Sequence, residues 1–272
     1  MLTPKTVSTR DLITKSDLPA SDFVINPYVG CPHKCLYCYA AFMKRFTHHP
    51  EPWGDFLDIK TCGRPLNVRK LVGKSVLLSS VTDCYNGFEG KYKATRRILE
   101  QLVGVPTELS ILTKSSLVVR DLDLLAKMSN VSVAFSMNTL DDRLRAGIEP
   151  FASSVQARVG ALRQVKEAGI KTSVFVSPIF PALTDYRALI EATRDYAGDF
   201  WFENLNLYGS ARGPVLEYIG ANYPHLAPLY DRIYVGKDPG FWPKLEQEIE
   251  AWCKKNRIAH KMYFYHSQIK KR

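Results

Sequence analysis

Residues Gly30-Cys-Pro-His-Lys-Cys-Leu-Tyr-Cys-Tyr39 decide the interpretation of this chain, because they bring three cysteines together with three residues and then two residues between them. Three thiolates can bind three irons of a 4Fe-4S cubane and leave the fourth iron open. A cubane that only transfers electrons is normally closed by four cysteines. The spacing therefore predicts a cluster whose open iron binds a further ligand.

Other uses of clustered cysteines fit this sequence less well. His33 lies inside the run, so zinc is one alternative, but a closed zinc site usually combines two short ligand pairs, and the sequence has no second pair. A disulfide framework is also disfavoured, because Cys62, Cys84 and Cys253 are scattered and the chain has no secretory signal. Incidental buried thiols are the remaining alternative.

The cysteine run, with Tyr37 before its last cysteine, resembles the CxxxCxΦC signature of the radical SAM superfamily, where Φ is an aromatic residue. The resemblance implies a 4Fe-4S cluster on Cys31, Cys35 and Cys38, with S-adenosylmethionine bound at the open iron. One electron from the reduced cluster cleaves that cofactor to a 5'-deoxyadenosyl radical, which abstracts hydrogen from a substrate. The resemblance also implies a reducing partner such as flavodoxin or ferredoxin.

The composition is that of an ordinary globular protein, with 46% hydrophobic and 24% charged residues among 272. This length allows one barrel-sized domain or two smaller ones. No apolar stretch approaches the roughly 20 residues that span a bilayer, and residues 1–10 lack the apolar stretch of a signal peptide. We therefore expect a cytoplasmic protein with no membrane partner, in a reducing compartment that suits an oxygen-sensitive cluster.

The chain is basic, with a formal charge of +10 and an isoelectric point near 9.3. A basic surface attracts phosphate backbones without reading their sequence, so nucleic acid is one candidate substrate or partner. The charge is spread along the chain apart from short clusters at residues 254–257 and 270–272. Charge alone is a nonspecific signal.

Short apolar runs alternate with amphipathic stretches over residues 21–216, which is typical of strands and crossover helices in a parallel sheet. We predict strands over residues 24–28, 75–79, 109–113, 131–137, 171–177 and 200–207. We predict helices over residues 40–46, 93–103, 117–128, 153–168 and 184–196. Six such units fit the α/β fold that the resemblance implies, a partial (β/α)6 radical SAM barrel.

Residues 1–20 and 217–272 are predicted to be short extensions of the same globular unit. The first is expected to wrap the far end or the edge of the barrel. The second is punctuated by prolines and is expected to cap the barrel, with a helix over residues 241–255 and a strand over residues 260–266.

Polar residues that follow the strands are the site candidates, because chemistry in parallel α/β folds lies at the carboxyl ends of strands. Thr82 and Asp83 are placed to bind the cofactor's amine, since a carboxylate gains a charge-assisted hydrogen bond from an ammonium; alternatively, Asp83 caps a turn. Residues 82–85 and 95–99 resemble the spore photoproduct lyase branch of the superfamily. In some members of that branch a cysteine returns hydrogen to the product radical, which makes Cys84 a candidate.

The third and fourth predicted strands also end in polar residues. Lys114 is placed to bind a substrate carboxylate or phosphate, or else to be a solvated lysine on the rim. Ser136 and Asn138 offer a hydroxyl and an amide that suit ribose hydroxyls. Glu149-Pro150 followed by Arg158 resembles the same family, where the arginine neutralises the methionyl carboxylate. A surface ion pair is the alternative for Arg158.

The last two predicted strands end in apolar and acidic residues. Ile179 and Phe180 are placed to pack on the adenine, or simply to fill the barrel mouth. Glu203 lies in or near the barrel interior, and a buried carboxylate is costly unless it is paired, so a partner or a catalytic role is expected.

Three functional hypotheses follow from these patterns. The chain is a lyase-like enzyme acting on nucleic acid, a lyase-like or transferase-like enzyme acting on a peptide or small metabolite, or a non-enzymatic iron-sulfur or zinc module. The open cubane and the polar strand ends favour the two enzymes.

Overall fold

The fold of the computed structural model, which describes residues 2–19, 21–207 and 209–264, is built on two sheets. In chain order the strands are β1 (Lys5–Ser8), β2 (Ile13–Lys15), β3 (Phe23–Ile25), β4 (Tyr28–Val29), β5 (Asp58–Thr61), β6 (Ser75–Leu78), β7 (Glu108–Thr113), β8 (Val131–Ser136), β9 (Lys171–Ile179), β10 (Asp199–Asn204) and β11 (His260–Met262). The larger sheet has eight described strands in the order β11-β10-β9-β8-β7-β6-β3-β2, and only the β2–β3 pair is antiparallel. The predicted α/β partial barrel is confirmed.

Helices connect the parallel strands and cover one face of the sheet. They are α1 (Glu89–Tyr92), α2 (Ala94–Leu102), α3 (Leu122–Leu125), α4 (Asp142–Ile148), α5 (Val155–Glu167), α6 (Tyr186–Thr193), α7 (Arg212–Asn222), α8 (Ala227–Tyr230) and α9 (Phe241–Lys255). Short 3-10 segments lie at Tyr39–Phe46, Val68–Leu71, Ser116–Asp121, Gly209–Ala211 and Pro224–Leu226, and a π-helical turn lies at Asp231–Val235. Within the described residues, each helix is too short or too polar to cross a membrane.

Alternation of side chains along the strands separates the core from the barrel interior. On β8, Val133 and Phe135 are fully buried in the main core, together with apolar residues of α2, α5, α6 and α9. Ser132 points to the other face, where its hydroxyl oxygen lies 3.3 Å from that of Ser110 on β7. The helices therefore cover an apolar face, while small polar side chains line the interior.

Several predicted elements differ in their limits from the observed ones. The first predicted strand is split into β3 and β4, because Pro27 has no N–H for the ladder and the side chain of Asn26 accepts a hydrogen bond from the Ser80 amide instead. The helix predicted over residues 117–128 is a 3-10 segment followed by the short α3, and the adjacent β-branched Val118 and Val119 weaken α-helix formation there. The helix predicted over residues 40–46 is also 3-10.

The two predicted extensions contribute to both sheets and to the mouth of the barrel. Strand β2 adds an antiparallel strand to one sheet edge, and β11 adds a parallel strand to the other. Helices α7 and α8 pack with α4 in a second core cluster that also contacts Leu36 and Tyr37. Tyr265 and His266 of the strand predicted over 260–266, and the basic residues 270–272, lie outside the described residues. The boundaries at residues 20 and 216 stay predictions.

A buried carboxylate connects the small sheet to the first helices. The side chain of Glu89 is fully buried and accepts hydrogen bonds from the Tyr28 hydroxyl, the Thr95 amide at 2.9 Å and the Arg96 amide at 3.3 Å. The guanidinium of Arg120 completes the group with an ion pair of 2.6 Å. Because Tyr28 is on β4, directly before the cysteine run, this network fixes where that run begins.

We expect Glu89→Gln to lower the free energy of unfolding by about 3 kcal/mol, because it leaves the Arg120 cation beside a buried neutral amide. The matched control is Glu100→Gln on the exposed side of α2, where the side chain is half exposed and the expected change is below about 0.5 kcal/mol. Urea unfolding of the three proteins measures both changes. Equal losses in the two variants would contradict the assignment of Glu89 as the connecting group.

Candidate functional site

The cysteine loop, residues 30–38, lies between β4 and the 3-10 segment Tyr39–Phe46. Its base is closed by the antiparallel pairing of β4 with β5. Gly30 has a φ of +85°, and a Cβ there would lie 2.4 Å from the carbonyl oxygen of Phe56. Gly54 has a φ of +98°, and a Cβ there would lie 2.8 Å from Cγ of Lys34. Only glycine fits these two positions, so residues 53–56 pack directly on the loop.

The three thiols of the loop are free, half-buried and close enough to influence one another electrostatically. Burial raises the pKa of Cys31 to about 12, with the nearby Cys38 thiol as the next cause. Burial also raises the pKa of Cys35 and of Cys38. Among the described residues, no three or more His, Cys, Asp or Glu side chains converge on a point where a single metal ion would sit.

Asp83 anchors the loop to the ends of β6 and β7. Its carboxylate accepts hydrogen bonds from the Thr113 hydroxyl at 2.8 Å and from the Lys114 amide at 2.7 Å. The His33 ring lies 3.5 Å away, and burial lowers the pKa of that histidine. Thr82, the neighbour of Asp83, donates a hydrogen bond of 2.7 Å to the Gly30 carbonyl. Thr82 and Asp83 therefore reach the site, but with these protein partners.

The Asp83 carboxylate also accepts a hydrogen bond of 2.8 Å from the Tyr85 amide, two residues along the chain. This hydrogen bond caps a turn, which is the alternative role predicted for Asp83. Because protein donors surround both oxygens of Asp83, its predicted contact with the cofactor's amine stays a prediction.

Glu149 is the centre of a second buried network. Its side chain is fully buried and accepts from the Tyr37 hydroxyl, from Asn138 at 3.3 Å and from Arg158 at 2.5 Å. Burial alone would raise the pKa of Glu149, but Arg158 and Lys114 hold it below its usual value. The aromatic residue of the signature, Tyr37, is thereby fixed in a network with the ends of β8 and α4.

All three nitrogens of the Arg158 guanidinium donate hydrogen bonds to protein oxygens. The residue is 1% exposed, and its three nitrogens donate to Glu149, to the Ser136 carbonyl at 2.8 Å and to the Ser153 carbonyl at 2.9 Å. The ion pair expected as the alternative role therefore exists, but it is buried and not at the surface. The predicted contact of Arg158 with the methionyl carboxylate of the cofactor stays a prediction. This geometry favours a role in which Arg158 positions Glu149.

Lys114 and Asn138 face the same region as the cysteine loop. The Lys114 ammonium lies 5.7 Å from the centre of the Tyr37 ring and is close to Cys35. Burial would lower the pKa of Lys114, but Cys35 and Glu149 raise it above its ordinary value. The Oδ1 atom of Asn138 is buried and has no hydrogen-bond partner among the described residues. A charged donor and an unpaired acceptor are thus available beside the thiols.

Some candidates lie beneath the site and not in it. Cys84 is fully buried in the main core, and burial raises its pKa well above the ordinary value, so this placement gives no support to its predicted role as a hydrogen donor. Ile179 is also in the main core, and Phe180 packs edge-on against Tyr37 at 5.6 Å between ring centres. The Ser136 hydroxyl donates to the Ser177 carbonyl at 3.1 Å.

Glu203 lies at an irregularity between β9 and β10. Two residues of β9, Ser177 and Pro178, oppose the single residue Glu203 of β10 at this point, and such bulges redirect side chains. The Ser177 hydroxyl donates to the half-buried Glu203 carboxylate, which also influences the Tyr39 phenol. The predicted partner of Glu203 is therefore present, and its carboxylate lies near the phenol of Tyr39, the residue after the cysteine loop.

Sequence reasoning missed three contributors to this site. In the sequence, Glu149 stands out only as part of a family pattern, because its partner Tyr37 is 112 residues away in the chain. Tyr39 lies within the cysteine run, and its phenol donates to the Ser80 carbonyl across the mouth. Nothing in the sequence links Trp53 to the cysteine run.

Comparison with known proteins agrees with this geometry. The family model of the Radical SAM superfamily matches residues 25–192. An uncharacterised protein of Methanocaldococcus jannaschii is 38% identical over 212 residues, covering 78% of this chain and 80% of its own. An uncharacterised protein of Mycobacterium tuberculosis is 32% identical over 260 residues, covering 87% and 75%. A radical SAM Nalpha-GlyT isomerase of Pseudomonas phage M6 is 29% identical over 218 residues, covering 76% of this chain and 42% of the isomerase.

Solved structures share the fold. A spore photoproduct lyase variant with bound AdoMet and dinucleoside spore photoproduct superposes with a TM-score of 0.60 at 19% identity. The match covers 82% of this chain and 66% of that one, so the chain spans just under two thirds of the lyase. The same lyase complexed with the dinucleoside spore photoproduct gives a TM-score of 0.59. At this identity the likeness shows the fold alone.

A double-mutant cycle on the buried ion pair tests how Arg158 is used. We expect Arg158→Met and Glu149→Gln each to cost about 3 kcal/mol of unfolding free energy, because each leaves a buried polar partner unmatched. The double variant is expected to cost about 1–3 kcal/mol less than the sum, since the second change removes the unmatched group. Urea unfolding supplies all the free energies.

The control cycle uses the exposed pair Arg187 and Glu248, which are 2.7 Å apart with side chains 49% exposed. Its coupling is expected to stay below about 1 kcal/mol. A coupling between Arg158 and Glu149 no larger than this control would show that the buried pair is not a structural unit.

Proposed function

This chain belongs to the radical SAM superfamily, and we propose that it is an enzyme that binds a 4Fe-4S cluster on Cys31, Cys35 and Cys38 and S-adenosylmethionine at the open iron. When bound and reduced, this cofactor pair supplies a 5'-deoxyadenosyl radical that abstracts hydrogen from the substrate. The observation that carries the proposal is the set of three recessed thiols, close to one another at the polar carboxyl ends of the strands. We expect an external one-electron donor such as flavodoxin or ferredoxin.

The donor set around the thiols supports the fit of this cofactor pair. Buried polar groups are normally hydrogen-bonded, so the unpaired Asn138 Oδ1 is suited to a donor on a ligand such as a ribose hydroxyl. The hydroxyl of Ser136 is placed on the same strand end. Thr82 and Asp83 hold the cysteine loop in position. Arg158 holds Glu149, which in turn binds the Tyr37 hydroxyl. Lys114 adds a positive charge beside Cys35, which favours the thiolate over the thiol.

We further propose that the substrate is nucleic acid, on the basis of the rim beside the cysteine loop. Tyr39, Phe42, Phe46 and Phe151 are the exposed aromatic side chains of the described residues, with exposures of 70, 48, 65 and 62%. The Arg45 guanidinium lies 5.4 Å from the Phe42 ring and 4.7 Å from the Phe46 ring.

Exposed aromatic rings beside cations are the elements with which proteins bind single-stranded nucleic acid, because bases stack on the rings and phosphates meet the charges. The Lys34 ammonium, which also pairs with Asp55, lies 5.7 Å from the Phe151 ring and forms a second pair of a cation and an aromatic ring. The formal charge of +10 adds long-range attraction. Glu203 and Lys114 face the mouth and are the proposed catalytic or substrate-binding side chains. The burial of Cys84 in the main core gives no support to its predicted role as a hydrogen donor.

Cleavage of the cofactor is the first expected result. After anaerobic reconstitution with iron and sulfide, the reduced wild-type protein is expected to convert S-adenosylmethionine to 5'-deoxyadenosine, measured by liquid chromatography and mass spectrometry. Cys35→Ala is expected to give none, because the cluster loses one of its three ligands. Cys62→Ala is the matched control, since Cys62 is also a free, half-buried thiol but lies outside the loop, and it is expected to keep wild-type conversion.

Two outcomes would contradict the proposal. One is equal conversion by wild type and Cys35→Ala. The other is iron bound as a single ion, or zinc, with no absorption or electron paramagnetic resonance signal of a cluster, which would favour the non-enzymatic module.

Binding to a fluorescent single-stranded oligonucleotide tests the substrate class. The wild type is expected to bind with an affinity that falls steeply as salt rises, because phosphate contacts release counterions. Removing both rings in Phe42→Ala/Phe46→Ala is expected to weaken binding by about tenfold or more, since each stacked base contributes roughly 1–3 kcal/mol. Fluorescence anisotropy over a salt series measures both effects.

The control is Val72→Ala/Val235→Ala, which truncates two exposed apolar side chains of other elements with exposures of 53 and 55%. It is expected to bind like the wild type. Salt-independent binding, or equal weakening in the two double variants, would redirect the search to a peptide or a small metabolite.

A further inference from the structure

The indole of Trp53 lies beside the cysteine loop with a hydrogen-bond donor that the protein does not use. Its Nε1 atom is buried and has no hydrogen-bond partner of normal geometry among the described residues. The side chain is nevertheless close enough to the Cys38 thiol to act on its pKa, which it lowers against the larger effect of burial. A buried N–H without an acceptor costs about 1–3 kcal/mol, so its retention at this position calls for an acceptor that completes the bond.

The position of the indole is fixed by its neighbours. Its ring packs edge-on against Phe56, with 5.7 Å between the ring centres. The Phe56 ring in turn stacks on His49 at 3.9 Å, and the Phe56 backbone presses on Gly30. The next residue, Gly54, fits closely against Lys34. This packing leaves Trp53 little freedom to turn its N–H away from the cysteine loop.

Cysteine-bound clusters expose sulfur atoms that accept weak hydrogen bonds, and such bonds are among the factors that set a cluster's reduction potential. Reduction adds one negative charge to the cluster, and an N–H donor stabilises the more negative state more strongly. A donor that is fixed in position before reduction therefore makes the cluster easier to reduce.

We propose that Trp53 is a positioning residue of the cluster site, whose indole N–H donates to the sulfur of Cys38 or to an adjacent cluster sulfide and raises the reduction potential. This inference rests on the proposed function, because it requires a cluster on the cysteine loop. It assigns to Trp53 no contact with substrate and no part in hydrogen abstraction.

The test is the midpoint potential of the reconstituted cluster, measured by dye-mediated titration and electron paramagnetic resonance without S-adenosylmethionine. Trp53→Phe keeps an aromatic ring and removes the N–H, and it is expected to shift the reduction equilibrium about tenfold toward the oxidised cluster, or roughly 59 mV more negative for one electron. The matched control is Trp252→Phe, on the outer helix α9 beside Tyr186, and it is expected to leave the potential unchanged.

A second replacement separates the N–H from the packing of the ring. Benzothienylalanine at position 53 has the shape of tryptophan with sulfur in place of the N–H, so it is expected to lower the potential while iron content and thermal unfolding stay at wild-type values. A wild-type potential in this isostere, with a full cluster, would overturn the inference, as would equal shifts in Trp53→Phe and Trp252→Phe. Failure of the wild type itself to assemble a cluster would instead refute the proposed function on which the inference rests.

Discussion

The buried carboxylate of Asp83 is the constraint on which the cysteine loop depends. Nine residues of that loop, 30–38, contain no helix or strand, so their path is set by contacts with the strand ends. Asp83 accepts hydrogen bonds from the end of β7 and lies against His33 inside the loop. Because an unpaired buried carboxylate is costly, these partners are fixed together, and the rigid sheet transmits its geometry to an irregular segment. Thr82 adds the hydrogen bond that holds Gly30.

The electrostatic design of the site follows from a second buried acid. Glu149 neutralises Arg158 and orients Tyr37, while Lys114 remains beside Cys35. Burial opposes the ionised form of every thiol in the loop, as the raised pKa of Cys31 illustrates. Thiolates at such a position require nearby positive charge, which a bound metal cluster supplies most directly and Lys114 supplements. The site is thus unfavourable for free thiolates, and the proposed cluster would remove that cost.

How much of this site could be predicted from the sequence depends on how far apart the interacting residues lie in the chain. The cysteines and Tyr37 were identifiable because their spacing is local, and the core strands because apolar alternation is local. The roles of Asp83 and Arg158 were less accessible, since a polar residue after a strand has the same sequence signature whether it binds a ligand or holds the backbone. Trp53 and Phe56 lie shortly before β5, and the pairing of β5 with β4 brings them to the loop. That pairing joins strands of two and four residues, too short to give a periodic signal.

The polar residues at the strand ends fall into two groups with different roles, and the difference has a physical reason. Side chains at the carboxyl ends of parallel strands are available to bind ligands in barrel enzymes, yet the irregular cysteine loop lies at those ends and must itself be held in place. Asp83, Thr82 and Arg158 are used for that purpose, and their hydrogen-bonding capacity is largely spent on the protein. Under the proposed function, small ligands would be recognised by the groups that remain incompletely paired, namely the Oδ1 atom of Asn138 and the Lys114 ammonium. We therefore expect a mutation in the first group to act through the loop and a mutation in the second group to act on ligand binding.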